Sequence, residues 1–129
     1  MARVLIVDDE KEVVFLIKFI LEKSGYTVAT ASNGQEALAA LGVEPSDPAV
    51  QLPDIILLDV MMPVMDGYTT SVKIRENERT RKVPILVVTA HGDMRHLFEA
   101  SSSISGYLQK PFEPKFLKEQ VDKILTSAP

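Results

Sequence analysis

The chain has 129 residues, 14 Lys plus Arg against 18 Asp plus Glu, a formal charge of −4, 46% hydrophobic residues, and neither Cys nor Trp. That length suits a single domain over residues 1–129, and without cysteine a disulfide framework, a thiolate zinc site and a Cys nucleophile are excluded. The acidic balance argues against direct nucleic-acid binding, which takes clustered Lys and Arg. Apolar runs far below the ~20 residues that cross a bilayer, with no signal-peptide pattern, lead us to expect no membrane insertion and a cytoplasmic location.

Arg3 to Val7 reads as a first strand. Val13, Ile17, Ile20 and Leu21 then fall on one helical stripe, and Gly25 stands where a left-handed C-cap belongs. Tyr26 to Ala31 is the second strand, followed by a helix over Glu36 to Leu41 capped by Asn33. Gly42 to Pro53, broken by Pro45, Pro48 and Pro53, is a long loop leading to the third strand, Asp54 to Leu58. Asp66 caps a third helix running toward Glu78, and Pro84 to Thr89 is the fourth strand. A weak helix is expected over Asp93 to Ser103, where Ser101, Ser102 and Ser103 are mediocre helix formers. Gly106 to Gln109 is the fifth strand, and Pro114 opens a last helix with Leu117, Val121, Ile124 and Leu125 on its buried stripe. Phe15, Phe19, Phe112 and Phe116 are assigned to core or helix-face packing, and Met61, Met62 and Met65 to apolar gap filling. Five β-then-α units in succession predict an α/β fold, a doubly wound parallel sheet covered on both faces.

The chemistry-bearing residues all lie at C-terminal ends of expected strands: Asp8-Asp9, Asp59, Thr89-Ala90 and Lys110-Pro111. That edge is where ligands sit in open parallel sheets. If the first and third strands are neighbours, Asp8, Asp9 and Asp59 form one acidic pocket. Their mutual repulsion is relieved by protonation or by a divalent cation, and an all-oxygen donor set suits Mg²⁺. Lys110 and Thr89 would supply a compact positive charge and a hydroxyl from the other side. A metal, a lysine and a hydroxyl around one carboxylate are what phosphoryl transfer to that carboxylate needs, so the pattern points to an aspartyl phosphate.

Four strings resemble the receiver domain of bacterial two-component response regulators. They are Val7-Asp8-Asp9-Glu10, the run from Pro53 to Tyr68 containing Leu58-Asp59-Val60-Met61-Met62-Pro63, Pro84 to Ala90, and Gly106-Tyr107-Leu108-Gln109-Lys110-Pro111-Phe112. The likeness spans Arg3 to Leu125. It implies the flavodoxin-like (βα)5 strand order 2-1-3-4-5 and a phosphorylation-dependent signalling switch. Asp59 then matches the phosphoacceptor, loaded from a phosphohistidine of a sensor histidine kinase or phosphotransfer protein. Asp9, Asp59 and the Met61 carbonyl match Mg²⁺ ligands, and Asp8 matches the carboxylate that holds water on the metal. Lys110 matches the lysine that pairs with Asp59 or its phosphate, Thr89 the switch hydroxyl, Ala90 its neighbour at the phosphoryl group, and Tyr107 the aromatic that turns inward. A cis Lys110-Pro111 bond is implied as well.

The resemblance further implies an output surface on the 93–103 segment, the fifth strand and the last helix, including His96, Leu97 and Tyr107. Its partner would be a downstream protein or a second receiver. Such a domain assists its own phosphorylation and dephosphorylation and is not a conventional turnover enzyme. Two departures stand out: Val64 occupies a position where many relatives carry a small residue, often Gly, and Ser101 to Ser105 lacks the Gly-Ala-rich turn common before the fifth strand. Met61 and His91 match positions that flank the path of attacking water, where apolar Met61 is expected to slow hydrolysis. Competing readings are a phosphohydrolase with an Asp nucleophile, a flavin-binding module and an inert receiver-like interaction module. The missing Asp-x-Asp string, the missing phosphate loop and the complete residue set, respectively, disfavour them.

Overall fold

The computed structural model describes residues 2–90 and 104–127. In chain order it comprises β1 (Arg3–Val7), α1 (Lys11–Lys23), β2 (Thr27–Ala31), α2 (Gly34–Ala40), β3 (Ile55–Leu58), α3 (Gly67–Glu76), β4 (Ile85–Thr89), β5 (Gly106–Gln109) and α4 (Pro114–Ser127). The expected helix over Asp93 to Ser103 lies outside the described residues, as do His91, His96 and Leu97.

The strands form one parallel sheet in the order β2-β1-β3-β4-β5, the flavodoxin-like order that the sequence implied. Successive side chains of a strand take opposite faces, so β1 feeds two cores. Leu5 and Val7 pack with Leu38 and Leu41 beyond α2's first turn and with Ile74 of α3, whereas Val4 and Ile6 pack with Ile17 and Leu21 of α1 and with Leu117, Val121 and Ile124 of α4. The inner strands are buried on both faces, which is why they read as continuous apolar runs rather than as alternation. Each fully buried Leu or Ile contributes about 1.5–3 kcal/mol.

Local chemistry sets the element ends. Gly25, at φ 96°, closes α1 in a Schellman arrangement, with Gly25 N–H donating to the Glu22 carbonyl and Tyr26 N–H to the Leu21 carbonyl, each at 3.0 Å. The Asn33 side chain caps α2 by accepting from Glu36 N–H at 2.8 Å, and Asp66 caps α3 by accepting from Thr69 N–H at 2.8 Å. α3 stops at Glu76, short of Glu78, because Asn77 turns extended and its side chain accepts from Arg79 N–H at 3.0 Å. The 42–53 loop is clamped by the Arg79 guanidinium, which donates to the Val50 carbonyl at 2.7 Å and more loosely to those of Leu41 and Asp47.

The aromatic assignment needs correction. Phe15, Phe19 and Phe116 are 74%, 57% and 52% exposed, so only Phe112 packs against the core. α1 carries two apolar stripes, and the sheet can cover only the one holding Ile17 and Leu21. Met62 and Met65 pack against the core as expected, but Met61 is 52% exposed and fills no gap.

Candidate functional site

The ladder hydrogen bonds run one residue past the strands, and that extension builds the site. Asp8 N–H donates to the Ala31 carbonyl at 3.1 Å, Asp59 N–H to the Val7 carbonyl at 2.9 Å, and Lys110 N–H to the Thr89 carbonyl at 2.8 Å. The main chains of Asp8, Asp59 and Lys110 are thus fixed by the sheet itself. Each lies at the C-terminal edge of its strand.

Gly67 completes the floor. Its N–H donates to the Val60 carbonyl at 2.7 Å, and a Cβ there would collide with the Asp59 carbonyl and the Val60 Cα. Only glycine lets α3 start this close to Asp59. The connecting loop holds Val64 at φ 72° between Pro63 and Met65, with Met65 N–H donating to the Pro63 carbonyl at 2.8 Å. This is a γ-turn of the rare positive-φ kind, centred on a β-branched residue, and it stores strain.

Asp8 and Asp59 are 4% and 5% exposed. The Lys110 ammonium lies 2.7 Å from Asp8 Oδ2, 2.9 Å from Glu10 Oε1 and 3.6 Å from Asp59 Oδ2. Asp8 Oδ1 accepts from Glu10 N–H at 2.9 Å, and Asp59 Oδ1 accepts from Val60 N–H at 2.8 Å. Burial pushes the Asp8 carboxyl above its ordinary range and the charge of Asp59 adds to this, against the opposing pull of Lys110 and of the Glu10 N–H. Burial alone would lower the Lys110 ammonium, but its bonds to Asp8 and Glu10 and the charges of Asp8 and Asp59 outweigh it and hold it above its usual value.

Asp8, Glu10 and Asp59 bring carboxylate oxygens within 4.8 Å of one another. The sequence reading missed Glu10 as a site residue, although it is the third acid of the Asp8-Asp9-Glu10 run. The bond from its N–H to Asp8 turns the chain so that its side chain reaches back to Lys110. Asp9 is exposed and outside that trio; with Asp8 it lines a cleft of about 260 Å³. Thr89 is buried at the end of β4, Ala90 is exposed beside it, and Met61 is exposed on the loop after Asp59. Tyr107 is half-buried on β5, in register with Val87 and packed against the α2/α3 core. The Lys110-Pro111 peptide is cis, as implied; Glu44-Pro45 is cis too.

The arrangement suits a hard cation. Three carboxylates around one lysine leave two negative charges uncompensated, which a divalent ion balances with oxygen donors alone.

Comparison with known proteins agrees. The profile of the response regulator receiver domain matches residues 4–122. The chain is 36% identical over 127 residues to the DNA-binding dual master transcriptional regulator RpaA of Synechocystis, covering 97% of this chain and 49% of that protein. The chain thus spans about half the length, or less, of the curated relatives it matches. Among solved structures, response regulator TrrA of Thermotoga maritima, in complex with Mg²⁺ and BeF, superposes with a TM-score of 0.80 at 32% identity, over 96% of this chain and 99% of that one. The receiver domain of sensor histidine kinase PA1611 from Pseudomonas aeruginosa, with magnesium in its active-site cleft, gives a TM-score of 0.83 at 30% identity, with 98% of each chain covered. Receiver domains are signalling domains that interact with kinases and phosphotransfer proteins. Profile, relatives, sheet order and the acidic cluster agree, and this chain belongs to the response regulator receiver domain family of two-component systems.

Proposed function

We propose that Asp59 accepts a phosphoryl group from the phosphohistidine of a sensor histidine kinase or a phosphotransfer protein, with Mg²⁺ as the cofactor. The observation that carries this reading is the convergence of buried Asp59 and Asp8 with Lys110 at one edge of the sheet. Asp8 and Asp59 are the buried carboxylates that would hold the ion, joined by Asp9 and the Met61 carbonyl as the family pattern implies. When bound, Mg²⁺ supplies positive charge to the transferring phosphoryl oxygens.

The chain's own residues do the rest. Asp59 is the nucleophile, held in place by the Val60 N–H and the Val7 carbonyl. Lys110 neutralises the charge that arrives, and Thr89 and the Ala90 backbone bind the phosphoryl oxygens. The phosphoryl group adds roughly −1.5 to −2 charge, which draws on Thr89 and Lys110 and reshapes the surface of β5 with Tyr107 and α4. That surface then meets a downstream protein or a second receiver.

The net charge of −4 supports a domain that does not itself grip nucleic acid. Among the described residues no helix is long and apolar enough to cross a membrane. Residues 1–129 act as one domain, a switch rather than a turnover enzyme.

The test is intact mass after incubation with acetyl phosphate, with and without Mg²⁺, beside Asp59→Asn. One added phosphoryl group that needs both Mg²⁺ and Asp59 is expected. No adduct, with beryllofluoride also leaving the NMR spectrum unchanged, would replace this reading with the inert interaction module.

A further inference from the structure

Three carboxylates compete for one ammonium in this pocket, and they are not equivalent. Asp8 is buried and fixed twice, by its ladder bond and by the Glu10 N–H. Asp59 is buried and fixed by the Val60 N–H. The Glu10 side chain is 57% exposed and reaches the ammonium from outside. Lys110's main chain is pinned to Thr89, so only its side chain is left to respond to these partners.

The distances show how the contest stands. Lys110 Nζ makes hydrogen-bond contacts to Asp8 at 2.7 Å and Glu10 at 2.9 Å, but stands 3.6 Å from Asp59, beyond hydrogen-bond length. Glu10 and Lys110 together also line the groove of about 360 Å³ between α1 and the residues after β5, where Ala90 and Phe112 lie. The ammonium is therefore held between buried Asp8 and exposed Glu10, with its own side chain only 9% exposed.

We propose that Glu10 is a positioning residue for Lys110: with Asp8 it holds the ammonium off Asp59. The nucleophilic carboxylate is thereby kept reactive, and the positive charge meets the incoming phosphoryl group. This rests on the reading of Asp59 as phosphoacceptor. Without Glu10, Lys110 closes on Asp59, and a full charge-assisted ion pair on the attacking oxygens makes them poorer nucleophiles.

The test uses the full chain with Mg²⁺ and acetyl phosphate. An Asp59 oxygen forms the new P–O bond as the donor's own P–O bond breaks and acetate leaves. Wild type is compared with Glu10→Gln, Glu10→Asp and the nearby exposed control Glu12→Gln. In Glu10→Gln the maximal phosphorylation rate falls about tenfold, the size of one charge-assisted hydrogen bond. Its half-saturating donor concentration falls too, because one negative charge no longer repels the anionic donor. Glu10→Asp keeps the charge but loses the reach, so its maximal rate falls while half-saturation stays put; Glu12→Gln leaves the maximal rate unchanged.

A second readout needs no phosphoryl transfer. The ¹⁵Nζ resonance of Lys110 in metal-free protein moves in both Glu10 variants and stays in Glu12→Gln. A wild-type maximal rate in Glu10→Asp, or an unmoved Lys110 resonance, overturns the proposal. Wild type that takes no phosphoryl group overturns the phosphoacceptor reading instead, and the resonance then still decides whether Glu10 holds Lys110.

Discussion

Lys110 Nζ lies 2.7 Å from Asp8 Oδ2 and 3.6 Å from Asp59 Oδ2, so the lysine's short contact is with the carboxylate beside the candidate nucleophile. Removing it by Lys110→Met leaves two buried carboxylates facing each other and costs about 3 kcal/mol at pH 7. Asp8, already raised by burial, then rises further. A carboxyl whose folded pKa exceeds its unfolded value favours the fold below the unfolded value and loses that stability as pH rises through the folded one. The deficit against wild type therefore shrinks between pH 7 and pH 5. Urea unfolding in chelator at both values checks this; a deficit that grows on acidification contradicts it.

Gly67→Ala drives a Cβ into the Asp59 carbonyl. Because the opposing atoms are backbone, the start of α3 must move, at a cost of about 3 kcal/mol or more. The displacement reaches Asp59 directly, so amide shifts at Asp59 and Val60 change most. A variant of wild-type stability and spectrum would show that the helix start is not held against Asp59.

Val64→Gly relieves the γ-turn. Val64 is 73% exposed, so little packing is lost, and relief of a positive-φ β-branched residue outweighs the added freedom of glycine in the unfolded chain. A gain of about 1 kcal/mol in urea unfolding is expected. A loss would mean that the valine side chain holds the loop.

Tyr26 donates its hydroxyl to Asp122, tying the chain before β2 to α4. Burial, then the Asp122 bond and charge, push the phenol up to about 12. The folded state keeps this proton after the unfolded chain has lost it, so the contribution is complete below about pH 10 and is lost as pH rises toward 12. Phenolate absorbance of wild type minus Tyr26→Phe should titrate near the upper value. A difference curve centred near 10 would refute the coupling.

What the sequence made legible was whatever a few neighbouring residues decide. The inner strands followed from their Val, Ile and Leu runs, the caps from Gly25, Asn33 and Asp66, and the acidic pocket from carboxylates placed just past strands. What stayed hidden depends on choices between equivalents. Phe15 and Phe19 are as apolar as Ile17 and Leu21, and only packing decides which stripe of α1 is covered. Glu10 differs from Asp9 in reach, not in charge, so its contact with Lys110 emerged only with side-chain geometry. The end of α3 at Glu76 turned on one Asn77 side-chain bond.

The clamped 42–53 loop enters β3 at the end of that strand opposite Asp59. The Arg79 guanidinium holds its Asp47 and Val50 carbonyls, while Lys73 pairs with Glu44 and Arg3 donates to Gln51. Changes in loop length are therefore met at that end of the sheet, and the strand insulates the reactive edge from them. A lineage built on this scaffold is free to diversify that end while its chemistry stands still, and an inserted reporter peptide is best accommodated there.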